Sequence, residues 1–206
     1  EDNPYLADVV HSYNLRGFSF REYLNLFTKA NIKALTLEEL LKNHQQIAEE
    51  ITQKINPFDY FDAYLQHGFY PFFLEKRNFS ENLLKTMNMM MEVDILLIKQ
   101  IEPAYLTKIR KLLYMLVKDA PCTPNVSKLS QAISTSRATV VNYIKYLSDA
   151  RLINVLYEEG ESFPKKPAKV YMHNPNLMQV VGEENLNSQS LAETFFCNAL
   201  FKDHTV

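Results

Sequence analysis

The residue types that most often carry out catalysis are scattered through this sequence. Its five histidines and two cysteines, Cys122 and Cys197, do not have the spacing of metal ligands. No Glu-x-Lys triplet, which a restriction-type nuclease centre needs, occurs anywhere, and none of the four glycines leads into a Lys-Ser or Lys-Thr pair as in a phosphate-binding P-loop. The chain itself is therefore predicted to have no catalytic residue, no metal and no bound cofactor.

Side chains suited to contact with DNA or a protein lie between residues 126 and 174. The helix expected from Arg137 carries Arg and Asn, which can form paired hydrogen bonds with base edges in the major groove. Lysines in the loop that follows could meet phosphates. The candidate contact residues are Ser136, Arg137, Thr139, Asn142, Lys145, Lys165, Lys166 and Lys169.

The same segment also has features that suit a protein partner. Tyr146 and Asp149 lie on the outward face of the expected helix, and Glu158, Glu159 and Glu161 lie in the loop. Carboxylates repel a polyanion, so contact with DNA and contact with a protein remain alternatives.

The elements that position these residues follow the order of a winged helix-turn-helix. Ser127 is expected to cap a short helix, 128–133, and residues 134–136 form the turn before the helix at 137–149. Val140, Ile144 and Leu147 fall on one face of that helix and should pack into the core. Two strands, 152–157 and 169–173, complete a two-stranded wing.

The N-terminal half is predicted to be a bundle of about four helices over residues 19–102. Ser19 with Glu22, and Thr36 with Glu39, have the spacing of capping boxes. Further helices are expected from Pro57 to Gly68 and from Ser80 to about Ile101. The methionine-rich segment 87–91 and the aromatic loop 69–73 should pack inside the bundle.

The balance of charge changes sign near residue 104. Residues 1–104 contain 10 Lys and Arg against 15 Asp and Glu, and residues 105–206 contain 12 against 9. With only four glycines and no tryptophan, this predicts a mostly α chain of two modules. They are a helical bundle at 1–104 and a winged helix-turn-helix at 105–175, followed by a linker and C-terminal helix at 176–206.

The sequence also predicts a cytoplasmic protein that does not enter a membrane. The most apolar run, Met89 to Ile98, contains Glu92 and Asp94 and spans about half of the roughly 20 residues that a membrane span needs. Two cysteines so far apart suit reduced thiols in a cytoplasm. The sequence starts without Met, as expected of a fragment.

Four segments together carry a resemblance to a known family. They are L-R-G-F-S-F-R-E-Y-L (15–24), D-A-Y-L-Q-H-G-F-Y-P (62–71), K-V-Y-M-H-N-P-N-L (169–177) and L-A-E-T-F-F-C-N-A-L (191–200). The chain resembles the C-terminal part of predicted prokaryotic AAA+ ATPases, which have a P-loop core, a helical lid, a winged helix and a restriction-nuclease-like C-terminal region.

The resemblance implies that the chain is a non-catalytic fragment consisting of the lid-like bundle and the winged helix. ATP and Mg²⁺ would bind the parent protein outside this chain, and the C-terminal helix would lead to a missing domain. Arg16 and Arg21 would approach the nucleotide, although Arg21 is equally suited to a structural ion pair. A stand-alone winged-helix transcriptional regulator is the alternative to such a fragment.

Overall fold

The protein is mostly helical, with one small sheet. The computed structural model describes residues 16–75, 78–97, 99–182 and 186–200. Its helices are α1 (Phe20–Thr28), α2 (Leu37–Thr52), α3 (Phe58–His67), α4 (Phe79–Met90), α5 (Pro103–Asp119), α6 (Val126–Ala132), α7 (Arg137–Asp149), α8 (Pro175–Val181) and α9 (Ser188–Leu200), with a 3-10 turn at Pro71–Glu75 and a π-helical segment at Met91–Leu97. Strands β1 (Ile153–Leu156) and β2 (Lys169–Met172) form the sheet.

Local capping sets the starts of the first two helices. Both predicted capping boxes are confirmed: the backbone N–H of Ser19 donates to Glu22 Oε2 at 2.8 Å, and that of Thr36 donates to Glu39 Oε2 at 2.8 Å. The predicted cap of α6 is wrong. Asn125 rather than Ser127 caps that helix, since Asn125 Oδ1 accepts from the Lys128 N–H at 3.0 Å.

The two strands form an antiparallel hairpin. Ile153 pairs with Met172 and Leu156 with Lys169, and the segment between them forms the β1–β2 loop. Cys122 adds an isolated bridge to Val170 on the other side of β2. The hairpin packs against α7 and α5. Its side chains Ile153, Val170 and Met172 are almost fully buried there.

The main core joins the two halves of the sequence. Met91 and Ile95 of the π-helical segment belong to the same buried cluster as Leu112 of α5, Ile144 of α7 and Leu177 of α8. The division of the chain at residue 104 stays a prediction, but the cluster contains residues from both sides of it. Of the methionine-rich segment, Met87 and Met91 are buried as expected, whereas Met89 is 58% exposed.

A second, aromatic cluster joins α1, α3 and α9. Tyr23 and Tyr64 are buried and pack edge-to-face, with ring centroids 5.4 Å apart. The ring of Phe195 in α9 lies 5.0 Å from Phe61 and 5.9 Å from Tyr64. The C-terminal helix α9 therefore packs back on the N-terminal helices.

Three expectations about the helices are wrong. The helix from Ser80 does not continue regularly to Ile101, because α4 ends at Met90 and the chain continues as a π-helical segment. Residues 175–181 are a helix rather than a linker, with Asn174 as the cap and Pro175 in the first turn. Helix α2 does not pack into a bundle: it lies wholly within the described residues, and none of its 16 residues is buried.

Asn176 ties α8 to the end of α3. Its Oδ1 accepts from the Phe69 N–H at 2.8 Å, and its Nδ2 donates to the carbonyls of Tyr64 and Leu65 at 2.9 and 2.8 Å. The side chain is fully buried. One amide thus satisfies three backbone groups where α3 ends, where a buried unpaired group would be costly.

Among the described residues, no helix is long and apolar enough to cross a membrane.

Candidate partner interface

Helix α7 presents one face to the core and its first turn to the surface. Val140, Ile144 and Leu147 are buried, as the sequence predicts. Ser136 caps the helix, with its Oγ accepting from the Thr139 N–H at 3.0 Å and lying 2.8 Å from Thr139 Oγ1. This fixes the direction in which the exposed Arg137 leaves the helix.

The turn between α6 and α7 is held by two lysines of α5. Lys111 Nζ donates to the Ala132 carbonyl at 2.8 Å, and Lys108 Nζ donates to the Ser134 carbonyl at 2.8 Å. Sequence reasoning missed this role. The only available signal was the spacing of the two lysines, which places them on neighbouring turns of one helix face.

Two of the eight candidate contact residues meet in one groove. Arg137, at the start of α7, and Lys166, in the β1–β2 loop, line an open groove of about 590 Å³ together with residues 123–127. The other lining residues are the polar Thr123, Asn125 and Ser127 and the apolar Pro124 and Val126. A helix and a loop that are 29 residues apart in sequence therefore present cations to the same depression.

The other three candidate cations are already paired with carboxylates. Lys145 Nζ lies 2.5 Å from Asp149 Oδ1, and Asp149 is one turn further along α7. Lys165 pairs with Glu161 inside the β1–β2 loop. Lys169 lies on β2 and bonds Glu193 of α9 at 2.9 Å, so it contributes to the packing of α9.

The remaining residues of the predicted surface are Thr139 and Asn142. Both are partly buried on α7. Thr139 is held by the Ser136 hydroxyl, so its side chain serves the helix cap.

Arg21, in the first turn of α1, contacts the α1–α2 connection and its neighbour Glu22. Its Nη1 donates to the Ile32 carbonyl at 3.4 Å, and its Nη2 lies 3.7 Å from Glu22 Oε1. This is the structural ion pair that the sequence left open as an alternative. Arg16 is exposed and lies near His173. A role for either arginine beside a nucleotide stays a prediction.

The cysteine thiols are poorly placed for nucleophilic chemistry. Burial raises the pKa of Cys122 and of Cys197 to about 11 in each case. The thiolate is the reactive form of cysteine, and little of it forms at neutral pH with such values. Among the described residues, no three His, Cys, Asp or Glu side chains come together as metal ligands would.

His173 lies at the junction of the hairpin with α9. Its Nδ1 is 3.1 Å from Asn154 Oδ1, and its backbone carbonyl accepts from Asn198 Nδ2 at 2.7 Å. Burial, reinforced by Arg151 and Arg16, lowers the pKa of His173 from 6.5 to about 4. The folded protein therefore holds this ring neutral in mildly acidic solution.

We expect the protein to lose stability as the pH falls from about 6.5 towards 4. In that window an unfolded His173 binds a proton and the folded one does not, so each pH unit costs up to about tenfold in the folding equilibrium. In urea unfolding, the free energy of unfolding of His173→Gln should fall less between pH 7 and pH 5 than that of the wild type. His44→Gln, at an exposed position, should keep the wild-type loss. An equal loss in His173→Gln and the wild type would contradict this assignment.

Fold and site together define a mostly helical protein with a small hairpin and an exposed helix-and-loop surface. Residues 58–187 match the family described as "Domain of unknown function (DUF8612)". Because this match covers more than half of the chain, the chain belongs to that family.

One curated relative is the uncharacterized protein MJ1637 of Methanocaldococcus jannaschii. It is 28% identical over 182 residues, which is 82% of this chain and 36% of that protein. The chain thus spans little more than a third of the length of this relative. No solved structure matches the chain.

Proposed function

We propose that this chain is a non-catalytic docking module of a larger AAA+ ATPase. Residues 105–175 act as a winged helix-turn-helix, in which the start of α7 and the β1–β2 loop contact a protein partner. The helical part before it corresponds to the lid of the ATPase. ATP and Mg²⁺ are bound by other parts of the parent protein.

The convergence of Arg137 and Lys166 on one groove carries the docking proposal. They come from the two elements that a winged helix uses for contact, the second helix of the pair and the wing. The order α5, α6, α7, β1, β2 also supports this assignment. Lys108 and Lys111 hold the turn before α7, so the contact surface is set before a partner arrives.

The charges of this surface favour a protein over DNA. A DNA-binding surface neutralises phosphates with unpaired cations, and tight binders use several of them. Lys145, Lys165 and Lys169 already have carboxylate partners within the chain. A short surface with two remaining cations suits one or two acidic side chains on a protein.

The length of MJ1637 supports the proposal that this chain is part of a larger protein. Nearly two thirds of MJ1637 lie outside the aligned region, which leaves room for a nucleotide-binding core and a further domain. In this proposal the chain supplies the lid and the docking module, and the core supplies the chemistry.

A stand-alone DNA-binding regulator is the second candidate function. Arg137 and the partly buried Asn142 lie on the helix that would enter the major groove, which is the observation in its favour. The two functions differ in how strongly and how selectively the protein binds duplex DNA.

Fluorescence anisotropy with a labelled DNA duplex at low salt separates them. The docking proposal predicts only weak binding, with a Kd above about 1 µM and no dependence on sequence. The double variant Arg137→Ala/Lys166→Ala should reduce this residual binding severalfold. Lys165→Ala should leave it nearly unchanged, because Glu161 already neutralises that lysine. Nanomolar, sequence-dependent binding that is lost in Arg137→Ala and in Asn142→Ala would establish the regulator instead.

A further inference from the structure

Thr123 presents a short stretch of sheet edge to the groove that Arg137 and Lys166 line. Just before it, the Cys122 N–H donates to the Val170 carbonyl at 3.0 Å, and the Val170 N–H donates to the Cys122 carbonyl at 2.8 Å. Along an antiparallel strand, residues that exchange both bonds in this way alternate with residues whose backbone groups point away from the neighbouring strand. The N–H and the carbonyl of Thr123 therefore point away from β2.

Both backbone groups of Thr123 are available to a partner. Among the residues that the structure describes, neither its N–H nor its carbonyl has a hydrogen-bond partner, and the residue is exposed. Pro124 restricts the residue before it to an extended backbone. On one side Pro121 has no N–H, and on the other the Asn125 carbonyl already accepts from the Leu129 N–H at 2.9 Å. An added strand can therefore pair fully with Thr123 alone.

The charges of the groove select the kind of segment that fits it. Arg137 and Lys166 are exposed, and within the described part of the chain neither forms an ion pair. No described Asp or Glu lines the groove. Carboxylates of a partner would therefore gain charge-assisted hydrogen bonds, which are roughly twice as strong as neutral ones. The groove volume of about 590 Å³ lies in the range of sites that hold small ligands, which suits a segment of a few residues.

We propose that the groove binds an extended segment of a protein partner, in which two acidic residues are separated by one residue. The middle residue exchanges backbone hydrogen bonds with Thr123, as when a strand is added to the edge of a sheet. Alternate side chains of an extended chain lie on the same side, so both acidic side chains can turn towards Arg137 and Lys166. This inference rests on the docking role proposed above for these two cations, and it adds the form and the charge of the segment that docks.

Nuclear magnetic resonance of the isotope-labelled full chain can test this proposal with short synthetic peptides. The acidic peptide has Glu-Val-Glu at its centre, flanked by Gly and Ser, and the neutral peptide has Gln-Val-Gln in its place. The acidic peptide should bind with a Kd on the order of 100 µM and shift the amide proton of Thr123 downfield as its hydrogen bond forms. Added salt should weaken this binding, and the neutral peptide should bind at least about tenfold more weakly.

Methylation of single peptide N–H groups tests the backbone pairing without changing any charge. A methyl group on the nitrogen of the central Val removes the donor to the Thr123 carbonyl and should weaken binding of the acidic peptide about fivefold. A methyl group on the nitrogen of the following Glu is the matched control. That N–H points away from Thr123 in an added strand, so the affinity should stay within about twofold.

Variants of the chain locate the charge contacts. Arg137→Gln and Lys166→Gln should each weaken binding of the acidic peptide roughly fivefold, because each removes one charge-assisted contact. Lys54→Gln is the matched control, since Lys54 is exposed and lies outside the groove, and it should leave the affinity unchanged.

Several results would overturn the proposal. They are equal binding of the acidic and neutral peptides, equal effects of the two methyl groups, and equal effects of Lys166→Gln and Lys54→Gln. Failure of the acidic peptide to bind at millimolar concentration would also overturn it, while docking of a folded acidic surface would stand. Nanomolar, sequence-dependent binding of duplex DNA would instead remove the docking role on which this inference rests.

Discussion

Asn176→Asp is expected to lower the free energy of unfolding by about 3–5 kcal/mol. The substitution keeps the shape of the side chain and the acceptor for the Phe69 N–H. It removes both donors to the carbonyls of Tyr64 and Leu65 and turns a carboxylate towards them in a fully buried site. Chemical denaturation followed by circular dichroism measures the loss.

Asn187→Asp provides the control for this substitution. Asn187 is exposed, and its Oδ1 accepts from the Ser190 N–H at 2.7 Å, a bond that an aspartate retains. Stability should change by less than about 0.5 kcal/mol. If both variants lost the same free energy, Asn176 would not be the tie between α3 and α8.

Met91→Ala is expected to cost about 2–5 kcal/mol, because it opens a cavity in the main core. Met91 is fully buried in the π-helical segment and belongs to the cluster that also contains residues of α5 and α7. The rate of backbone amide hydrogen exchange should therefore increase both in α4 and in the β1–β2 hairpin. Met89→Ala, two residues away at a position that is 58% exposed, should change stability by less than about 0.5 kcal/mol.

The exchange pattern of Met91→Ala also decides whether the chain divides at residue 104. Faster exchange confined to residues before 104 would show two independently stable units and contradict a shared core. Faster exchange on both sides of that position would show one cooperative unit.

Features set by neighbouring residues could be predicted from the sequence. The two capping boxes depend on side chains three residues apart, and both form. Helix α7 has the predicted bounds, because Ser136 starts it and three buried side chains at helical spacing define its inner face. The hairpin strands lie within one residue of their predicted positions at either end.

Features that depend on distant partners could not be predicted. Helix α8 does have local start signals, Asn174 as the cap and Pro175 in the first turn, but the bonds of Asn176 to backbone groups 107 to 112 residues earlier are visible only in the fold. Lys169 looked like a loop cation, and its bond to Glu193 of α9 is visible only once the chain is folded. Helix α2 was expected inside the bundle over residues 19–102, but its capping box says nothing about what covers the helix.

The same distinction applies to the candidate interface. The types of Arg137 and Lys166 were enough to name both as contact residues, and the fold then places them on one groove. Residue types could not show that three other lysines are paired with carboxylates within the chain. That pairing is why we propose a protein partner rather than DNA.

The full reading frame that encodes this chain tests the central proposal most directly. We expect it to contain, before the helices proposed as the lid, a Gly-x-x-x-x-Gly-Lys-Ser/Thr motif between a strand and a helix. We also expect a protein purified from that frame to bind ATP with Mg²⁺ in calorimetry, and the present chain not to bind it. Micromolar ATP binding by the present chain alone, or a frame without the motif, would contradict the assignment as a docking module of a larger AAA+ ATPase.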